Sequence, residues 1–195
     1  MIDWLYGAVK ALHVITAVFM AAPLYNLIVV NERARFGKAP IYVDRYFERI
    51  IRGNSSRCYV FQQTALLSGL LLVALTALSF SPLLENWRLL GKSLLLLVLL
   101  ALLTVVHFNI QPQIDKLLSQ VTGDSIPPEI EKQVTPLRVR RKRLAATCLF
   151  VLLTILILAV QAFAAFSTVL TVVLVVLAAL LSWRVYKVGV PYGWV

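Results

Sequence analysis

Long apolar runs alternate with basic stretches along this chain. From Leu5 to Val30, 26 residues carry a single charge, Lys10, and contain Pro23. A bilayer core of ~30 Å takes about 20 helical residues, so the run predicts a membrane-spanning helix. A second run, about Tyr59 to Phe80, is stopped by Ser81-Pro82. The third, about Ser93 to Ile110, is predicted to end at Gln111-Pro112, where proline has no N–H to give to the helix ladder. From Leu144 to Trp183 there are 40 uncharged residues, enough for two spans with the turn between Gln161 and Ser167. A single long tilted helix with an interfacial tail is the alternative. The pattern predicts an all-α integral membrane helical bundle of five transmembrane helices, a four-helix core plus one, forming a single domain over residues 1–195.

The segments between the runs orient the bundle. Residues 31–57 hold Arg33, Arg35, Lys38, Arg45, Arg49, Arg52 and Arg57; residues 111–143 hold Lys116, Lys132, Arg138, Arg140, Arg141, Lys142 and Arg143. By the positive-inside rule both are cytoplasmic basic loops, so the N-terminus lies outside the cell's inner (cytoplasmic) membrane. Arg184 and Lys187 put the C-terminus inside, which demands an odd number of spans and agrees with five. Trp4 and Trp87 then mark one outer interface. In the first loop Val43, Tyr46, Phe47, Ile50 and Ile51 recur at helical spacing, with Asp44, Arg45, Glu48, Arg49 and Arg52 on the other face. That predicts an amphipathic helix, lying in the interface or packed on the ends of the bundle. The cluster from Arg138 to Arg143 is either a contact for anionic lipid or a plain topology signal.

Composition narrows the class. Sixty per cent hydrophobic residues, 14% charged and a mean hydropathy of +0.84 exclude an ordinary soluble domain. The net charge of +10 resides in the loops, which argues for membrane topology and against a nucleic-acid partner. Cys58 and Cys148 lack CxxC spacing and read as reduced structural thiols. There is no HExxH, no glycine-rich phosphate loop and no buried carboxylate pair for proton relay.

The ionisable groups inside the spans carry the remaining information, because such groups are costly in hydrocarbon and usually face a bundle interior or a site. His13 lies about 13 Å below Trp4 by helical rise, His107 about 30 Å below Trp87 and Lys92 about 7 Å below Trp87. Depth therefore pairs His13 with Lys92 and separates it from His107, against bis-histidine ligation of a haem. Tyr6, Lys10, Thr16, Ala17 and Met20 share a face with His13, a surface suited to close helix packing or to a flat ligand. His107 is expected to meet the amides of Asn26, Gln62, Gln63 and Asn109 in a second polar cluster at the cytoplasmic end.

Three stretches carry a resemblance: Lys10-Ala-Leu-His-Val-Ile-Thr-Ala-Val-Phe-Met-Ala-Ala22, Phe47-Glu-Arg-Ile-Ile51 and Gly91-Lys-Ser-Leu-Leu-Leu-Leu-Val98. Over roughly residues 5 to 110 the chain resembles small membrane proteins of the HemJ-type protoporphyrinogen oxidase and CopD-like copper-resistance group. The resemblance implies haem b on a first-helix histidine with a third-helix lysine, positions that match His13, as metal ligand, and Lys92. It departs where that group's late Tyr-His-Gly stretch is replaced by Val106-His107-Phe108. Two functions follow as expectations: a haem, tetrapyrrole or redox site in the outer half of the bundle, with Tyr6, Thr16 and Met20 lining the ligand, or a cofactor-free accessory subunit. The last two spans, apolar all round, further predict a partner in the bilayer, either a second copy or other membrane subunits.

Overall fold

The computed structural model describes residues 2–34, 40–77, 81–161 and 166–187. The first apolar run is not one helix but two, α1 (Ile2–Phe19) and α2 (Ala22–Ala34). Pro23 is the cause: it cannot donate to the Phe19 carbonyl, and its ring crowds that turn. The chain tightens there, with Met20 N–H still on the Thr16 carbonyl at 3.0 Å and Ala21 N–H on that of Val18 at 3.3 Å.

Helix α3 (Ile41–Ala77) has 37 residues. At 1.5 Å per residue it spans about 55 Å, so roughly its first 15 residues project beyond the hydrocarbon. The amphipathic stretch is therefore the projecting end of the second span, packed on the bundle. Its predicted faces hold only in part: Ile51 is buried and Arg45, Arg49 and Arg52 are exposed as expected, but Tyr46 is exposed and the two acids turn inward. Tyr42 and Tyr46 are exposed, whereas Ile41, Asp44, Glu48, Ile51 and Ser55 are buried; the cause lies in the charge cluster described below.

After the short α4 (Ser81–Glu85), α5 (Trp87–Val105) begins at an Asn86 cap, whose Oδ1 accepts from Arg88 N–H at 3.0 Å and Leu89 N–H at 3.4 Å. The third run does not stop at Gln111-Pro112 as expected. A π-helical turn, Val106–Ile110, intervenes and α6 (Gln111–Ser119) continues. Gln111 N–H reaches back to the Val106 carbonyl, and Pro112 falls in the first turn of the new helix, where a missing N–H costs nothing. Residues 111–143 are thus largely helical, because α7 (Pro128–Val160) already includes the basic cluster. The uncharged 40-residue stretch divides between α7 and α8 (Thr168–Lys187); residues 162–165, in the expected turn, lie outside the described residues.

Among the described residues five helical segments are long and apolar enough to cross a membrane. Helix α1 rests chiefly on α3, with Phe19 and Phe61 stacked at 5.1 Å; α5 rests on α7, α2 sits between α3 and α7, and α8 packs on α7. Met20, Ala65, Leu96, Leu99, Cys148, Val151 and Leu152 form the central core. Ile41, Val106, Ile110, Ile114, Leu118, Val121 and Val134 form a second core at the basic end. Cys58 and Cys148 are free and buried.

Candidate functional site

Ser68 and Gly69, adjacent on α3, seat the imidazole of His13. The Ser68 hydroxyl lies 2.6 Å from the Thr64 carbonyl and 3.3 Å from that of Ala65, so its one proton is committed within its own helix. Its 3.0 Å bond to His13 Nδ1 therefore runs from the ring N–H to the serine oxygen. In the neutral ring this puts the proton on Nδ1 and leaves the Nε2 lone pair free, the arrangement by which a neighbour orients a ligating or proton-accepting histidine. Gly69 provides the room: a Cβ there would lie 3.1 Å from His13 Cε1.

His13 borders a cavity of about 90 Å³ between α1, α3, α5 and α7, and Lys92 borders the same cavity. The rest of the wall is almost wholly apolar, with Met20, Leu66, Leu70, Leu96, Leu152 and Leu156 contributing. Lys92 is half-buried and forms no ion pair among the described residues. The cavity lies where α1, held mainly by α3, stands off α5 and α7. Of the other residues expected around His13, Met20 lines the cavity, whereas Thr16 is buried with its hydroxyl 2.9 Å from both the Leu12 and His13 carbonyls. Tyr6, nearer the start of α1, is not part of the wall. Among the described residues no three His, Cys, Asp or Glu side chains gather as metal ligands.

The second polar cluster is placed differently from its expectation. His107 lies on the π turn, with Nδ1 3.5 Å from Ser55 Oγ, its ring stacked on Tyr59 at 6.1 Å and edge-on to Phe108 at 4.8 Å. The amides do not gather on His107, and Asn26 Oδ1 and Gln62 Oε1 are buried without a hydrogen-bond partner among the described residues. Gln62 Nε2 donates to Cys58 Sγ at 3.3 Å, Asn109 Oδ1 accepts from Gln113, and Asn26 lines a separate small cavity with Arg141 and Lys142. Gln63 is half-buried on α3. Ser55 and Ser68, the two histidine partners, are thirteen residues apart on α3. That is about 20 Å of helix, so the histidines occupy different depths.

What sequence reasoning missed is the charge cluster at the basic end. Glu48 Oε1 accepts from Arg33 Nη1 at 2.9 Å, Arg138 Nε at 3.1 Å and Arg141 Nη2 at 3.1 Å; its Oε2 accepts from Arg141 Nη1 at 2.6 Å and Gln111 Nε2 at 3.2 Å. Asp44 takes the Arg33 fork through Oδ1, at 2.8 and 2.6 Å, and Arg138 through Oδ2. Gln111 also donates to Asp115, which pairs with Arg52. Burial alone would raise the Glu48 pKa, but Arg141, Arg33 and Arg138 more than reverse it and hold the carboxyl well below the usual glutamate range. Three arginines on two carboxylates explain why the acidic face of α3 turns inward. They also draw Arg138 and Arg141 inward, leaving Arg140, Lys142 and Arg143 as the less buried part of the basic cluster.

Residues 7–162 match DUF2269, a family described as a predicted integral membrane protein. The chain belongs to this family. The matched region includes His13, Ser68, Gly69, Lys92 and the whole charge cluster, and it ends before α8. No curated protein and no solved structure matches the chain. The match supports a membrane family and does not extend to the HemJ-type and CopD-like group.

Proposed function

We propose that this integral membrane protein binds a small ligand in the cavity between α1, α3, α5 and α7. His13 Nε2 is the donor or proton acceptor, and Lys92 is the charge that meets an anionic group. The observation that carries this reading is the meeting on one apolar cavity of an oriented imidazole and a lysine with no carboxylate opposite it among the described residues. An intramembrane ionisable group of that kind points to a functional site. The charge pattern adds an orientation: the cavity sits toward the outer face of the cytoplasmic membrane, with the N-terminus outside and the C-terminus inside.

The resemblance to haem-associated membrane proteins pairs the same two residues, but the packed cavity does not fit haem b. At about 90 Å³ it is well short of the ~300–1,000 Å³ of pockets that hold drug-sized molecules. A tetrapyrrole would enter only if α1 parted from α5 and α7.

Native mass spectrometry of the protein purified in mild detergent tests the proposal. The expected result is a bound species of discrete mass, absent in His13→Ala and Lys92→Met and retained in His107→Ala. A species retained in the first two variants, or a wild-type protein that is empty and takes up no small acid on titration, overturns the reading and leaves the cofactor-free accessory subunit. A Soret band in the same preparation would show that the helices part to admit a macrocycle. The same spectra count subunits and so check the expected partner, a second copy or another membrane protein.

A further inference from the structure

Resting on the site just proposed, we infer that its ligand is an acid carrying an acyl chain. The acid group sits at Lys92 and His13, and the chain passes over Leu156 into the groove between α7 and α8. Leu156 is the observation that joins the two spaces. It lines both the His13 cavity and a groove of about 440 Å³ whose wall also includes Leu153, Ile157, Val160, Phe166, Leu177 and Leu181. It is itself exposed at the bundle surface, so a wall residue of the cavity is also within reach of lipid.

The cavity is too small to take a whole lipid molecule, and Lys92 in an apolar wall calls for an anion. An acid head within and a tail without satisfies both. Depth agrees with this arrangement. Lys92 lies six residues beyond the Asn86 cap and Leu156 four residues before the end of α7, or about 9 Å and 6 Å from the ends of their helices. The groove continues from Phe166 toward Leu181, about 20 Å further along by helical rise, so a chain anchored at Lys92 runs toward the middle of the bilayer as lipid chains do. A free carboxylic acid and an anionic phospholipid share this chemistry.

Equilibrium binding to the detergent-purified full chain separates the outcomes, with oleate, oleate methyl ester and hexanoate as probes. Oleate is expected to bind at least tenfold more tightly than either of the others. Lys92→Met should erase the preference over the ester, and Leu156→Trp, which plugs the junction, should erase the preference over hexanoate. Competition by dioleoyl phosphatidylglycerol but not dioleoyl phosphatidylcholine identifies the source as a phospholipid; its failure to compete identifies a free acid. Equal binding of oleate and its ester means lipid adsorbed on the groove only and overturns the inference. Hexanoate as tight as oleate, with both dependent on Lys92, overturns the chain route while the proposed site stands; no Lys92 dependence in any probe removes both. The oleate, ester and hexanoate comparison uses the unaltered protein, so a variant that fails to fold does not rescue the idea.

Discussion

The two ends of this bundle treat buried charge in opposite ways. At the basic end Glu48 and Arg141, with side chains 5% and 4% exposed, are paired to each other, and both carboxylate oxygens of Glu48 are engaged, although Arg141 Nε has no partner among the described residues. At the tryptophan-marked end Lys92 faces a cavity and His13 has one ring nitrogen engaged by Ser68. A buried ion pair is stable only when its remaining hydrogen-bonding positions are also filled, and around Glu48 Arg33, Arg138 and Gln111 fill them. Around the Glu48 carboxylate the charges are answered within the chain, which is what a structural cluster requires. Lys92 and the second ring nitrogen of His13 border a cavity instead, and this contrast is the basis on which the proposed site is told from scaffold.

The comparison breaks most visibly at Glu48. Removing its carboxylate leaves three guanidiniums gathered around one remaining acid, and breaking a buried pair by deleting one partner typically costs about 3–5 kcal/mol. Glu48→Ala is therefore expected to destabilise the bundle by about that amount, read as a fall in thermal unfolding temperature in detergent. A change within about 0.5 kcal/mol of wild type, the usual range for surface positions, would mean that the cluster is solvated rather than structural.

That cluster also marks the limit of what the sequence showed. The spans were legible because a backbone in hydrocarbon must satisfy its own hydrogen bonds, which makes long apolar runs helical. Helical rise alone brought His13 and Lys92 to similar depth. Over Val43 to Arg52 periodicity placed Ile51, Arg45, Arg49 and Arg52 correctly but misplaced Asp44, Glu48 and Tyr46, because it equates the apolar face with the buried one. Here the acidic face is buried by arginines up to 94 residues away, a pairing that spacing within the segment cannot reveal. The π turn was hidden for a related reason: Pro112 signals a missing N–H, yet a helix absorbs it by a wide turn as readily as it stops. Ser68-Gly69, a small pair inside an apolar run of the kind that permits close helix approach, went unread. What it lacked was any mark that the approaching group is an imidazole.

Acid sharpens the same contrast. Glu48 is held well below its ordinary pKa in the folded protein. Its contribution is therefore fully present above the unfolded value of about 4.3 and is lost as the pH falls below it toward the depressed folded value. Thermal stability should be flat with respect to this group at neutral pH and decline below about pH 4, and Glu48→Gln should remove that part of the decline. An acid limb identical in the variant and the wild type would assign the loss to other carboxylates.

The smallest effect on stability is expected at the other end, where it is most informative about function. Gly69→Ala adds a methyl group that meets His13 Cε1 at 3.1 Å, close enough that the imidazole must shift by a few tenths of an ångström or turn. Overpacking costs about 1–3 kcal/mol, while alanine in place of glycine inside a helix returns about 0.8–1 kcal/mol. The net change in stability is therefore small, at most about 2 kcal/mol. Gly53→Ala, on the same helix with nothing within 4 Å of the new carbon, supplies the control, gaining propensity without the clash. If the cavity is a site, ligand binding should weaken in Gly69→Ala and stay unchanged in Gly53→Ala, although the two proteins unfold within about 3 kcal/mol of each other. Equal binding in both would show that the orientation imposed by Ser68 and Gly69 has no bearing on function, and that His13 at this end, like Glu48 at the other, serves to hold helices together.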